Sequence, residues 1–150
     1  VRIGDARLTL EAAPPSSSDL VVVDAFSSDS IPMHLLTQEA FATYRGKLSP
    51  GGLFLVHIPT RHLDLAPVVV AAAARGGWHA RQRFYRPTAE DIARNQHTHS
   101  IWVAMSPSQS TMDRLEAASP GAWEPLAGRP GFRPWTDDYA SLLPVLRALQ

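Results

Sequence analysis

The 150-residue chain contains no cysteine. That excludes a disulfide framework, a zinc–thiolate site and a cysteine nucleophile together. Charge of one sign is lacking too, since 14 Lys and Arg balance 14 Asp and Glu. With no basic surplus to attract a polyanion, nucleic acid is not expected as a partner. Long apolar runs are also missing: a window such as Ala66–Ala74 falls well short of the roughly 20 residues a membrane helix requires. The segment is therefore expected to be soluble, to make no membrane contact itself and to suit a reducing cytoplasm. The size is that of one domain or a piece of one. Val1 stands in an apparent strand end with no leader before it, so the reading is of an excised segment whose domain continues upstream.

What is present alternates between strand and helix signals. Asp19–Phe26 (DLVVVDAF) has the continuous apolar run of a strand buried on both faces, as in a parallel sheet. From His34 to Leu48, apolar residues recur at helical spacing until Ser49-Pro50-Gly51-Gly52 stops the pattern. Leu53–Ile58 (LFLVHI) reads as a second buried strand, and Leu65–Arg75 as a helix ended by Gly76-Gly77. Trp78–Tyr85 and Ser100–Met105 read as further strands flanking a polar loop from Arg86 to His99. This order predicts an α/β, Rossmann-like architecture with a mostly parallel sheet. Its last strand is expected to be an antiparallel edge, because no crossover helix precedes it. Residues 1–106 form that unit, and the proline-punctuated residues 107–150 form an irregular appendage of the same domain, closing on a helix near Tyr139–Leu149.

Ligands of open α/β sheets bind beyond the carboxyl ends of the strands, so the residues there matter first. Asp5 follows a glycine turn and serves equally well as a helix N-cap or as a ligand contact. Asp24 ends an apolar strand, where burying a carboxylate is costly unless it lies in a polar cleft; a functional role is favoured. Asp29, among Ser27, Ser28 and Ser30, fits either a turn or a substrate contact. Thr136 or Asp137 fits the N-cap of the expected last helix. His97 and His99 lack a third ligand at a telling spacing, so they read as a solvated pair and not a metal site. His57 reads as a satisfied core histidine, His34, next to the acidic loop, as a candidate active-site residue, and Phe54, Trp78 and Trp102 as core.

Three stretches, VRIGDARLTL at 1–10, VVVDAFSSDSIPMHLLTQEAF at 21–41 and WTDDYASLLPVL at 135–146, resemble the spermidine-synthase-like family of polyamine aminopropyltransferases. The likeness includes its bacterial members fused to transporter-like segments. It implies a class I methyltransferase fold, here without its N-terminal end, and S-adenosylmethionine or its decarboxylated form as co-substrate, with no metal. It further implies that Asp5, Ala6, Asp24 and Ala25 face the nucleoside, that Asp24 is catalytic, and that Asp29, Asp137, Asp138 and Tyr139 meet the substrate. A positioned carboxylate would anchor a cationic amine and accept its proton. Plain spermidine synthases hold their two acids closer together, in a DSSD-like run, than Asp24 and Asp29 stand here. The expected partner is a small-molecule amine, and a homodimer is left open. Alternatives are an S-adenosylmethionine-dependent methyltransferase, which shares the fold, and a non-catalytic nucleoside- or polyamine-binding regulatory module.

Overall fold

A computed structural model describes residues 1, 3–25, 32–59, 63–95 and 99–147. Among these residues, five α-helices and five strands follow in the order α1 (Ala6–Glu11), β1 (Ser18–Val23), α2 (Gln38–Lys47), β2 (Leu48–Pro59), α3 (Ala66–Gly76), β3 (His79–Tyr85), α4 (Ala89–Asn95), β4 (Ser100–Ser106), α5 (Gln109–Ala118) and β5 (Glu124–Pro125). The sheet order is β1-β2-β4-β3-β5. Strand β2 runs parallel to β1, β4 runs antiparallel to both β2 and β3, and β5 is antiparallel to β3. Thus β1, β2 and β3 share one direction, as the α/β reading requires. The reversed strand is placed differently from expectation: β4 lies inside the sheet, between β2 and β3, and only the two-residue β5 is an antiparallel margin. Its burial explains the position, because Val103, Ala104, Met105 and Ser106 are fully enclosed, which only an interior strand permits.

One face of the sheet carries the core. Phe54, Val56 and Ile58 of β2 alternate onto the face packed by α2 and α3, joined by Ile101, Val103 and Met105 of β4. Phe54 stacks on Tyr44 at 4.7 Å between ring centroids and meets Phe41 edge-on at 5.6 Å. Such pairs add about 0.5–1.5 kcal/mol each beyond the area they bury. The Tyr44 hydroxyl donates to the Leu35 carbonyl at 3.0 Å. That bond satisfies its buried oxygen, and burial drives its ionisation above the ordinary tyrosine range.

Local chemistry sets the element ends. Thr37 caps α2 by accepting from the Ala40 amide. Gly77 ends α3 at φ 63°, a left-handed conformation that glycine adopts without strain. The Pro50-Gly51-Gly52 segment does not precede β2; it lies within it, where the β1–β2 register slips between Ser18 and Leu20. A Cβ on Gly52 would stand 3.0 Å from the Ser49 carbonyl and the Leu48 side chain, a tight approach that glycine avoids.

Strand β1 departs from the fully buried reading. Val21 and Val23 pack on the core, whereas Leu20 and Val22 remain 54% and 49% exposed. The strand lies at the margin of the sheet, and no described element covers its second face. The expected loop at 86–99 contains α4, and the expected last helix is replaced by a 3-10 turn at Leu143–Val145. Pro144 within that turn lacks the N–H an α-helix would use. No helix among the described residues is long and apolar enough to cross a membrane.

Candidate functional site at the carboxyl ends of the parallel strands

The register that pairs Val23 with Val56 brings the next residues, Asp24 and His57, side by side where β1 and β2 end their parallel run. His57 Nδ1 lies 2.8 Å from Asp24 Oδ1. A carboxylate can only accept, so Nδ1 carries the hydrogen and donates it. His57 is also directly opposite Trp102 on β4, and the two rings stack at 5.1 Å and 25°. The imidazole is thus held at its edge by an acid and at its face by an indole. Its side chain is 24% exposed and that of Asp24 is 56% exposed, so the pair opens to solvent. This overturns the reading of His57 as a core histidine: it points to the face opposite Phe54, Val56 and Ile58. Trp102 is half-buried against it, whereas Phe54 and Trp78 are core as expected.

Beside Asp24 lies a cleft of about 320 Å³ lined by Ala6, Arg7, Val22, Asp24, Ala25 and Tyr44, among others. Three of the four residues expected on the nucleoside side, Ala6, Asp24 and Ala25, therefore share one cavity. Asp5 stands just outside that lining as the N-cap of α1, accepting from the Leu8 amide at 3.0 Å. Its second oxygen is 3.3 Å from His34 Nε2. The Leu8 N–H holds the Asp5 carboxyl below its usual range, with burial opposing and the His34 charge assisting.

Arg7 connects this cleft to a second one. Its guanidinium makes a bidentate pair with Asp137, Nη1 to Oδ1 at 2.6 Å and Nη2 to Oδ2 at 2.7 Å. The Thr37 hydroxyl donates to the same Asp137 Oδ1 at 2.8 Å, and the Asp137 amide donates to Glu39 Oε2 at 3.1 Å. Arg7, His34, Thr37, Thr136 and Asp137 line a separate, open cleft of about 600 Å³. Asp137 caps no α-helix; it sits in a tight turn closed by paired backbone bonds between Thr136 and Tyr139. Asp138 is exposed, and Tyr139 is half-buried with the Arg133 guanidinium 3.8 Å above its ring. Asp29 and His97 lie outside the described residues. Among the described residues, no group of three or more His, Asp or Glu is arranged to hold a metal ion.

The Arg7 bonds pull the Asp137 carboxyl below its ordinary range, with burial opposing and Thr37 assisting. A carboxyl whose folded pKa is depressed stabilises the fold above its unfolded value, near 4, and loses that contribution as pH falls through the folded value. Asp137→Asn is therefore expected to cost about 1 kcal/mol at neutral pH, a figure discounted because the Asp137 side chain is 44% exposed. The difference from wild type should shrink below about pH 4. Thermal unfolding of both proteins from pH 7 to pH 3 measures it.

No family model and no curated protein matches the chain. Among solved structures, a probable spermidine synthase from Corynebacterium glutamicum is similar at TM-score 0.53 and 18% sequence identity, over 88% of this chain and 55% of that one. A putative DNA modification methylase from Thermus thermophilus, complexed with S-adenosyl-L-methionine, is similar at TM-score 0.47 and 15% identity, over 71% and 54% of the respective chains. The chain spans about half the length of these structures. The similarity to the first shows the architecture alone: a mixed α/β, Rossmann-like fold.

Proposed function

We propose that the chain is part of a transferase domain that moves the aminopropyl group of decarboxylated S-adenosylmethionine to an amine acceptor. The supporting observation is the cleft itself. It joins Ala6, at the start of α1, to Asp24 and Ala25, beyond the tip of β1, where α/β sheets of this kind bind ligands. Its volume of about 320 Å³ is at the lower end of small-molecule sites, adequate for a planar base held by small residues and an apolar strand end. The sulfonium co-substrate supplies an electrophilic carbon next to a positively charged sulfur. Ala6 and Ala25 lie against its nucleoside with Asp5 close by, while Asp24 faces the cationic acceptor. Asp29, Asp138 and Tyr139 are the further residues this reading assigns to the amine. A cytoplasmic location belongs to the same reading.

Methyl transfer from S-adenosylmethionine is a second reading, favoured by one observation. A polyamine is best held by several carboxylates, yet Asp137 is paired with Arg7 in a separate cleft, leaving Asp24 without it. The full-length protein should be assayed with both donors against a panel of diamines and polyamines, with product masses recorded. Aminopropylated product formed only with the decarboxylated donor is the expected result. A methylated product instead would establish the second reading, and no product with either donor would favour a non-catalytic binding module.

A further inference from the structure

The acceptor nitrogen of such a transfer must shed a proton, and two groups at the strand ends could take it. A carboxylate alone is a weak base for that purpose, since carboxyls as a class titrate near 4, whereas an imidazole titrates near 6.5 and exchanges protons readily at neutral pH. The geometry separates the roles. Asp24 already receives the Nδ1 hydrogen of His57, so the neutral ring presents its lone pair at Nε2. Among the described residues, no group hydrogen-bonds to Nε2, and the ring is fixed on two sides by Asp24 and Trp102. Such fixation keeps a base in one tautomer and orientation, which is what distinguishes a poised imidazole from a solvated one.

We propose that His57 Nε2 is the proton acceptor of the transfer reaction, with Asp24 as its positioning residue and Trp102 as the support of the ring. The inference rests on the transferase reading above. In the step, the acceptor nitrogen forms a bond to the carbon leaving the sulfonium, the C–S electron pair returns to sulfur as a neutral thioether, and the acceptor N–H proton passes to Nε2. Asp24 keeps its charge throughout and stabilises the imidazolium so formed. The assignment differs from a carboxylate base in one testable respect: the basic atom belongs to residue 57, and small bases in solution can substitute for it.

The experiment compares full-length wild type with His57→Ala and His57→Gln, each checked for folding by circular dichroism and thermal melting. Turnover should fall about a hundredfold or more in both variants, with the apparent Michaelis constant for the sulfonium donor changed by only about twofold, as expected when an interaction acts in the transition state alone. Added imidazole should restore part of the His57→Ala turnover. Nitrogen-15 spectra of the unreacted protein should show His57 protonated at Nδ1, and a redistribution between tautomers in Asp24→Asn. An active wild type whose folded variants keep half or more of the turnover, or lose it without imidazole rescue, would overturn the base assignment and leave the transferase reading standing. A hydrogen resident on Nε2 in the wild-type spectrum would do the same. A wild type that forms no product with either donor would overturn both.

Discussion

In the full-length protein, Asp24→Asn is expected to lower turnover by at least about a hundredfold while leaving stability nearly unchanged. The carboxylate stands at the tip of β1 with its side chain 56% exposed, so little of the fold depends on it. Exposed ion pairs contribute about 0–1 kcal/mol, and the asparagine keeps both the volume and a hydrogen-bonding group beside His57. What it loses is direction. An amide that presents its NH₂ group to Nδ1 would draw the lone pair to that nitrogen and leave the hydrogen on Nε2. The ring then becomes a donor where an acceptor is needed, and the charge that steadies the imidazolium is gone. Steady-state kinetics beside a thermal melt separates the two quantities. Turnover close to wild type in a folded Asp24→Asn protein would remove Asp24 from the mechanism.

Why Asp24 was readable and its partner was not follows from what a sequence encodes. An acid closing an apolar run (DLVVVD) is conspicuous by itself, because apolar strands rarely tolerate one in their interior. His57 stands near the end of the next run (LFLVHI), and the parallel register that pairs Val23 with Val56 makes it the neighbour of Asp24. That signal was present, but it requires the β1–β2 register, which the slip between Ser18 and Leu20 makes irregular. The Arg7–Asp137 pair offered no signal at all. Two charges 130 positions apart, each with many conceivable partners, meet only because the C-terminal turn folds back over α1.

The same contrast holds for the secondary structure. Helix α3 and strand β2 were legible because their apolar residues face a core and repeat with its period, and Gly77 adds its own stop. Helix α4 was not, since it is largely exposed, Ile92 included, and so shows no apolar stripe. Its start was nevertheless written locally: the Thr88 hydroxyl accepts from the Asp91 amide at 3.2 Å, and Asp91 Oδ2 accepts from the Thr88 amide at 2.9 Å. That reciprocal arrangement is a capping box with Asp in the place of Glu. The final segment misled in the opposite direction. Leu142, Leu143, Val145 and Leu146 have helical spacing, but Pro144 among them brings no N–H, and the segment forms a 3-10 turn at Leu143–Val145.

That final segment carries the last large effect. Trp135 is 1% exposed and Val145 fully buried, both within the same hydrophobic cluster as Phe54 and Leu65. The Trp135 carbonyl accepts from the Gln38 amide at 2.9 Å, satisfying one of the free N–H groups at the start of α2. Farther on, the Val145 carbonyl accepts from the Asp64 amide at 2.8 Å, and Leu146 bridges to Leu63. These contacts support the proposal that residues 107–150 complete the core of 1–106 and are not a separable tail. Trp135→Ala would remove an indole from a close-packed site, a change that costs about 3–5 kcal/mol through lost burial and the cavity left behind. Against a total stability of about 5–15 kcal/mol, the thermal midpoint should fall by on the order of 10 °C. Trp123→Ala is the control, because Trp123 is only half-buried beside β5 and its loss opens no enclosed cavity. Chemical denaturation of the two variants decides the matter. A cost below about 1 kcal/mol for Trp135→Ala, no greater than for Trp123→Ala, would mean that the segment rests on a core already complete without it.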